Sequence, residues 1–168
     1  LTNGTVINGK MIESPHRFHT ACTIATQIIA QVASGQFGGQ TISIAHLSPF
    51  LRKSRIKIEK QVRNRLGNKL SEEEIMTEVN ERLKEELSAG IQTFNYQINT
   101  LQTSNGQSPF LSVFMHINEY PEYEEETVMI IEEMLKQRIL GMKNEVGVYI
   151  SPAFPKLLYV TDKNNIHK

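Results

Sequence analysis

The sequence predicts a mixed α/β fold that is mainly helical, with short strands between the helices. Apolar residues recur at steps of three and four along several segments of helix length. Shorter apolar runs bounded by Gly, Pro and Asn separate these segments, an alternation typical of α/β layers. In addition, residues 18–51 contain no Asp, Glu, Lys or Arg. A helix there lacks the charged face of an ordinary amphipathic helix, so we expect it to be covered on both sides.

Length and net charge limit the class of protein. A chain of 168 residues can form one domain with a real core, and we treat residues 1–168 as a single unit. The 18 basic and 18 acidic residues balance, so no net field favours nucleic acid or an anionic membrane as a partner. Without a transmembrane-length run or a signal peptide, we expect a cytoplasmic location. Because the chain begins at Leu1 and ends in a polar segment, we expect it to be part of a longer protein.

The first residues predict a turn-rich segment ahead of the first helix. Asn3-Gly4 and Asn8-Gly9 are strong turn dipeptides, and the residues from Thr5 to Ile7 suit a short strand. We therefore expect a hairpin or a loop. Pro15 restricts Ser14 to extended geometry and marks the approach to the helix.

The first helix is predicted over residues 16–37, and the glycines that follow end it. One side has the spacing of a helix-packing seam. Its apolar positions are Phe18, Ala21, Ala25, Ile28 and Val32. A second side, which we name the uncharged face, consists of Thr20, Thr23, Gln27, Gln31 and Ser34. This face suits a helix–helix or subunit interface that also holds a polar ligand. The alternative is a plain core helix whose amides contact neighbouring backbone.

A short strand and a basic helix follow. Residues 40–45 alternate well enough for a strand, and Pro49 is placed for the first turn of the helix. Basic residues crowd the start of this helix, where they oppose the macrodipole unless an anion is nearby. We therefore keep two interpretations, a phosphate site and a solvated basic face. The basic residues are Arg52, Lys53, Arg55 and Lys57, and the predicted apolar anchors are Ile56, Val62 and Leu66.

The next helix is predicted over residues 71–103. Ser71 and Glu74 have the spacing of a capping box, and apolar residues follow at helical steps. We expect Gly90 to bend or interrupt the helix. From there to residue 107 the segment has no ionisable group except Tyr96, so this helix is a natural partner for the first one. The apolar positions are Ile75, Val79, Leu83, Leu87, Ile91, Phe94, Ile98 and Leu101.

A polar loop over residues 103–109 leads into an apolar run with β character over residues 110–117. The loop offers hydroxyls, amides and a glycine backbone. Two interpretations are open, because such a loop can bind a polar substrate or can be a structural turn.

The last helix is predicted from Pro121 to Gly141, with acidic first turns and a basic end, as the macrodipole prefers. Strands are predicted over residues 146–150 and 156–160. The buried stripe of the helix is predicted at Val128, Ile131, Leu135 and Ile139.

The residues by themselves indicate no catalytic site and no metal site. Cys22 is the single cysteine, which excludes an internal disulfide and a cysteine-cluster metal site. Its apolar neighbours favour an inert role as a small hydrophobe. The five histidines lack the spacing of a metal motif, and the sequence contains no Walker loop, no G-x-G-x-x-G and no G-x-S-x-G.

Four segments carry a specific resemblance to a known family. They are NGKMIESPHRFHTACTIATQIIAQVASGQFGGQTIS at residues 8–43, LSPF at 47–50, NTLQTSNGQSPF at 99–110 and FPKLLYV at 154–160. With these segments in this order, the chain resembles part of the catalytic subunit of anaerobic (class III) ribonucleoside-triphosphate reductase, a glycyl-radical enzyme family.

The resemblance implies that the chain is part of a ten-stranded α/β barrel. The whole enzyme would convert ribonucleoside triphosphates into deoxyribonucleotides for DNA synthesis by glycyl and thiyl radical chemistry, usually with formate as reductant and with a structural zinc. It would be a homodimer that binds deoxynucleoside triphosphate or ATP effectors near the dimer interface. A radical-SAM activase would install the radical.

The same resemblance assigns roles to individual residues. Gln27, Lys57 and Gln97 align with effector contacts, Lys57 through phosphate, and Gln97 stands where some members carry an acidic residue. The chain has no counterpart of the family's catalytic cysteines, radical glycine or zinc-binding cysteine pairs, so we expect the fragment to be inactive alone. The alternative is a non-catalytic helical dimerisation or interaction module. The predicted substrate-pocket residues are Asn105, Gly106, Gln107 and Ser108.

Overall fold

The computed structural model describes residues 1–35, 38–67, 69–101, 106, 108–163 and 165–166. The helices are α1 (Phe18–Gly35), α2 (Ser48–Leu66), α3 (Glu72–Thr100) and α4 (Glu124–Leu140). The strands are β1 (Thr5–Ile7), β2 (Lys10–Ile12), β3 (Gln40–Ser43), β4 (Leu111–Met115), β5 (Met142–Lys143), β6 (Tyr149–Ile150) and β7 (Lys156–Tyr159). The prediction of a mainly helical α/β chain with short strands is confirmed. Among the described helices, none combines the length and apolar character that a membrane crossing needs.

The N-terminal strands β1 and β2 form an antiparallel hairpin, as the turn dipeptides predicted. Asn8 and Gly9 at its tip have φ angles of 50° and 74°. Two consecutive residues with positive φ are typical of the tight turn that matches strand twist, and Asn-Gly is the pair that adopts it most readily. The hairpin precedes α1, which begins two residues later than predicted. The predicted helix ends at residues 36–37 and 102–103 lie outside the described residues.

The main sheet has three parallel strands in the order β3-β4-β7. Its register places Ile42 beside Val113 and Val113 beside Leu157. Along β4 the alternate residues Leu111, Val113 and Met115 are buried, because this side of the sheet packs against the helices. Parallel pairing places the ends of β3, β4 and β7 at one edge, and this edge positions a group of polar residues described below.

The C-terminal strands differ from the prediction. Only the last two residues of the predicted strand at 146–150 are in β6, which pairs antiparallel with β5. The sequence did not predict β5, which directly follows the end of α4 at Gly141. Gly141 has a φ of 77°, and a Cβ there would lie 2.6 Å from the carbonyl oxygen of Ile150. Glycine therefore lets the chain fold back on itself directly after the helix.

Helix α3 packs against α1, as the two uncharged segments predicted. The predicted bend or interruption at Gly90 is wrong, since α3 continues unbroken from Glu72 to Thr100. Gly90 is buried where the two helices cross, and a Cβ there would lie 2.6 Å from Cδ1 of Phe18 and 3.3 Å from Sγ of Cys22. The glycine therefore serves close helix packing rather than a change in backbone direction.

The N-terminus of α1 is capped by groups from α2 and α3. The backbone N–H of Phe18 donates to Oγ of Ser54 at 2.8 Å, and Ser54 in turn donates to Glu86 at 3.2 Å. Glu86 also accepts from the backbone N–H of His19 and from the Arg17 guanidinium. Because α1 has no acidic residue in its own first turn, Glu86 supplies the anion that the macrodipole favours.

Removing this cap should destabilise the fold. Ser54→Ala is expected to lower the free energy of unfolding by about 1 to 2 kcal/mol, because the N–H of Phe18 loses its partner in a buried position. Urea unfolding followed by circular dichroism measures the change. Ser88→Ala, at an exposed serine on α3, is the control and should change the stability by under about 0.5 kcal/mol. Equal effects of the two substitutions would contradict the capping role of Ser54.

Helix α2 is joined to α4 by paired charges. The Arg52 guanidinium donates to both carboxylate oxygens of Glu126, at 2.9 and 2.7 Å, and these hydrogen bonds raise the pKa of Arg52. Arg55 donates to Glu125 at 2.6 Å, which lowers the pKa of that carboxyl group. The hydroxyls of Ser48 and Thr127 are 2.8 Å apart in the buried part of this interface.

These contacts explain two errors in the predicted core. The predicted stripe of α4 is confirmed at Ile131, which is buried, and at Val128, which packs against the core. It is wrong at Leu135 and Ile139, which are 40% and 86% exposed, because Glu126 and Thr127 take part of the buried side of α4 that faces α2. The prediction of Ile56 as an anchor of α2 is also wrong, since this residue is 61% exposed, whereas Val62 is fully buried. The apolar residues of α4 that are buried are Ile130, Ile131 and Met134.

Candidate functional site

The uncharged face of α1 is mostly solvent-exposed in this chain. Gln27 and Gln31 are exposed, whereas the opposite side of the helix is buried against α3. We expected α1 to be covered on both sides, but the described residues cover only the side that packs against α3. An exposed helical face that carries amides and hydroxyls but no formal charge is available to a second surface.

Two hydrogen bonds join the edge of this face to α3. Nε2 of His19 lies 2.8 Å from Oγ1 of Thr93, and the hydroxyl of Thr26 donates to Oε1 of Gln97. Thr26 is buried and directly precedes Gln27 in the chain. The structure therefore places Gln27 and Gln97, two of the residues predicted to contact an effector, on neighbouring turns of α1 and α3.

Lys57 lies apart from these two amides. It is exposed on α2, one turn beyond Ser54, which contacts the first residue of α1. Gln27 lies nine residues further along α1, about 14 Å along the helix axis. The structure therefore does not bring Lys57 into contact with Gln27 or Gln97 within the described part of this chain.

Ion pairs with α4 neutralise two of the four basic residues in the predicted anion site at the start of α2. Arg52 and Arg55 each bind a carboxylate, so their charges are balanced within the fold. Lys57 lines a shallow depression on the other side of α2, and its lining carries no acidic residue. The residues of this depression are His16, Lys53, Ile56, Lys57 and Lys60.

The predicted substrate loop is only partly described. Asn105 and Gln107 lie outside the described residues, whereas Gly106 and Ser108 are described and exposed. The loop enters β4 from its N-terminal end, where the backbone N–H of Gln40 donates to the carbonyl of Phe110 at 2.8 Å. Gly106 and Ser108 thus precede the edge of the parallel sheet where β3 and β4 begin.

The opposite edge, where these strands end, carries a polar group that the sequence did not predict. Glu119 accepts from the hydroxyl of Ser43 and lies 3.5 Å from Nε2 of His46. Nε2 of His116, directly after β4, lies 2.8 Å from Oδ2 of Asp162, which follows β7. The C-terminal ends of parallel strands are where α/β proteins most often bind ligands.

A cavity of about 490 Å³ opens beside Ser43 and His46. Its walls are mainly apolar side chains from α1 and from the segment that precedes α2, with two tyrosines at the rim. The size and the mixture of an apolar wall with a few polar groups are those of a small-molecule pocket. The residues that give it this character are Ala25, Ile28, Ile29, Leu47, Tyr120 and Tyr123.

At this edge of the sheet, the hydrogen bonds hold polar side chains in place and do not activate a nucleophile. A nucleophilic serine needs its hydroxyl directed at a base such as imidazole, whereas Ser43 donates to the Glu119 carboxylate. When protonated, His46 pairs with the same carboxylate, so Glu119 orients both side chains. The arrangement suits binding of a polar group at the mouth of the cavity.

Cys22 is the remaining candidate for nucleophilic chemistry. It is fully buried between α1 and α3, and burial raises the pKa of its thiol well above the usual value. A protonated and inaccessible thiol is a poor nucleophile. The inert role predicted for Cys22 agrees with this geometry. Within the described residues, no group of three or more His, Cys, Asp and Glu side chains is arranged to hold a metal ion.

Comparison with known proteins adds the family. The whole chain, residues 1–168, matches the family described as anaerobic ribonucleoside-triphosphate reductase. Relatives with that name come from bacteriophage T4 (33% identical), Escherichia coli K12 (32%) and Haemophilus influenzae (30%). The matches cover 97 to 100% of this chain but only 22 to 26% of each relative, so the chain spans about a quarter of their length. Since the match to the family extends over the entire chain, this chain belongs to the anaerobic ribonucleoside-triphosphate reductase family.

Proposed function

We propose that this chain is the subunit-interface and effector-binding part of an anaerobic ribonucleoside-triphosphate reductase. The observation that carries the proposal is the family match over all 168 residues. The whole enzyme reduces ribonucleoside triphosphates to deoxyribonucleotides in the cytoplasm, within a ten-stranded barrel to which the β3-β4-β7 sheet contributes. The radical glycine, the catalytic cysteines, the zinc site and the surface for the activase are assigned to no residue of this chain, nor is the binding of formate.

The exposed uncharged face of α1 supports a homodimer. In a two-fold symmetric interface the same surface meets itself, so any charge near the axis faces a charge of the same sign. A face of amides and hydroxyls avoids this repulsion, because each amide offers a donor and an acceptor to its symmetry mate. Gln27 and Gln31 provide such groups in exposed positions.

The location of the amides and lysines supports the effector role. Gln97 accepts from Thr26, the neighbour of Gln27, so the two glutamines lie on adjacent turns of α1 and α3, and amide groups of this kind suit the edge of a nucleobase. The lysines around Lys57 lie near the start of α1, in a depression that favours phosphate. An effector bound between two subunits would place its base at the amides and its phosphates at Lys57 of one subunit. Gly106 and Ser108 remain proposed substrate-pocket residues, together with Asn105 and Gln107.

Nucleotide binding tests the effector role. Isothermal titration with each deoxynucleoside triphosphate and with ATP is expected to find at least one that binds the purified chain. Gln27→Ala and Lys57→Ala should each weaken that binding at least tenfold, because each removes a direct contact. Lys69→Ala, at an exposed lysine between α2 and α3, is the control and should bind as the wild type does. If Lys57→Ala also binds as the wild type does, Lys57 is not an effector contact.

Self-association tests the interface separately. Gln31→Glu places like charges across the proposed two-fold axis and should weaken dimerisation at least tenfold in sedimentation equilibrium. Asn80→Glu, on the exposed side of α3 near its start, is the matched control and should not change it. A stable dimer that binds none of the nucleotides would favour the alternative function, a helical interaction module. A monomer at all concentrations would remove the interface assignment.

A further inference from the structure

A second cavity lies on the other side of α3, between α3, α4 and the β5–β6 hairpin. It has a volume of about 420 Å³ and is lined by lysines, carboxamides and tyrosine rings. We propose that this cavity binds a planar organic phosphate of about the size of a mononucleotide. The site differs from the proposed effector site, because Gln27, Gln97 and Lys57 are not among its residues. The six residues that carry the proposal are Gln92, Asn95, Tyr96, Lys136, Lys143 and Tyr149.

The hairpin places a cation beside an aromatic ring. Lys143 and Tyr149 are directly opposite each other in the antiparallel pairing of β5 and β6, so their side chains extend to the same side. Nζ of Lys143 lies 5.2 Å from the centre of the Tyr149 ring. The turn between the strands is fixed by Asn144, whose side chain accepts from the backbone N–H groups of Val146 and Val148 at 3.1 and 2.9 Å.

The charges at the cavity favour an anion. Lys143 has no carboxylate within ion-pair distance among the described residues. Lys136 is paired with Glu132 at 3.5 Å, but both side chains are more than half exposed, and such pairs are weak enough for the lysine to turn to a ligand. The one acidic residue of the lining, Glu133, already accepts from Gln137 at 2.8 Å. The lining therefore carries two ammonium groups against one carboxylate, and its net charge is positive.

The amides and rings select a planar group in addition to the phosphate. Gln137 donates to the carbonyl of Ser88 at 2.9 Å and accepts from Nδ2 of Asn95 at 3.3 Å, which holds the Asn95 amide in place. No described residue donates to the side-chain oxygen of Asn95, which therefore remains an acceptor for a ligand N–H. The rings of Tyr96 and Tyr149 are about half exposed, and such rings offer stacking surfaces for a planar group.

Titration with adenosine monophosphate tests the proposal. In isothermal titration of the purified chain, adenosine monophosphate is expected to bind at least tenfold more tightly than adenosine or inorganic phosphate, since only the whole molecule uses both the lysines and the rings. Lys136→Ala and Lys143→Ala should each weaken its binding at least fivefold. Lys69→Ala is the control, because it removes an exposed lysine that belongs to neither site, and it should leave the affinity unchanged. Lys57→Ala, measured beside these variants, reports binding at the proposed effector surface instead. Circular dichroism melting of each variant confirms that the fold is kept.

Several results would overturn the inference. Binding of adenosine monophosphate no tighter than that of phosphate would exclude recognition of the planar group. An affinity unchanged in both Lys136→Ala and Lys143→Ala would exclude this cavity as the site. A loss in Lys57→Ala with no loss in the other two variants would place the ligand at the effector surface, which would contradict this inference and leave the proposed function intact. Conversely, failure of deoxynucleoside triphosphate binding leaves this experiment unaffected, because the two sites share no residue.

Discussion

Phe18→Ala should lower the free energy of unfolding by about 3 to 5 kcal/mol, which is the cost of removing a fully buried phenylalanine from a packed core. Phe18 is 0% exposed and lies directly against Gly90 where α1 crosses α3. Denaturant unfolding followed by far-ultraviolet circular dichroism measures the change.

The contact with Gly90 gives this prediction a second test, in which the effect of one substitution changes sign. Gly90→Ala should destabilise the wild type by about 1 to 2 kcal/mol, because the new Cβ would lie 2.6 Å from the Phe18 ring, although alanine has the better helix propensity by about 1 kcal/mol. In the Phe18→Ala background the ring is absent, and only the looser 3.3 Å contact with Sγ of Cys22 remains. There, Gly90→Ala should stabilise the chain by up to about 1 kcal/mol.

The adjacent residue provides the control for helix propensity. Ala89 is exposed on the same turn of α3, so Ala89→Gly should cost about 1 kcal/mol through propensity alone, whichever residue occupies position 18. If Gly90→Ala stabilises the wild type as well, the close approach of α1 and α3 at Gly90 is not as described.

Arg52→Gln is expected to have the second large effect. Glu126 is 1% exposed, and its carboxylate depends on the two hydrogen bonds from Arg52. Without the guanidinium, a buried carboxylate is left unpaired, which costs about 3 kcal/mol, at the lower end of the usual range because Arg52 itself is partly exposed. Urea unfolding at neutral pH measures the loss.

Two further variants separate the buried charge from a general loss of contacts. Adding Glu126→Gln to Arg52→Gln removes the unpaired carboxylate, so the double variant should be more stable than Arg52→Gln alone. Glu125→Gln breaks the neighbouring pair with Arg55, but the Glu125 side chain is 65% exposed, and the cost should stay below about 1 kcal/mol. A double variant less stable than Arg52→Gln would show that the ion pair is not the source of the effect.

Much of the helical part of the fold was predictable because its signals are local. The capping box at Ser71 and Glu74 marks the start of α3, and both predicted hydrogen bonds are present. The absence of charge in two distant segments predicted that α1 and α3 are partners. Each of these signals depends on a short stretch of sequence or on one compositional property.

The errors concern features that depend on contacts between distant residues. Gly90 reads as a helix breaker by propensity, yet its role is set by Phe18 on another helix. The buried side of α4 is set by the contacts of Glu126 and Thr127 with α2, which no periodicity reveals.

The polar group at the end of the sheet was missed for the same reason. Glu119 meets Ser43, and His116 meets Asp162, only because β3, β4 and β7 are parallel neighbours. The available signal was that a histidine or an acidic residue follows each strand. That signal predicts a shared polar group only if the order of the strands in the sheet is known, and no single strand sequence specifies this order.

The groups that cap α1 belong to helices later in the chain, and this affects folding during synthesis. Glu86 is separated by 67 positions from the His19 amide that it accepts from. At about 5 to 20 residues per second, a ribosome needs roughly 3 to 13 seconds to synthesise that distance. Throughout this interval α1 has neither its anion nor the full surface of α3, although Ser54, which caps Phe18, is synthesised partway through it. Synthesis speed across the intervening stretch should therefore influence the yield of folded protein more than synthesis speed after Glu86.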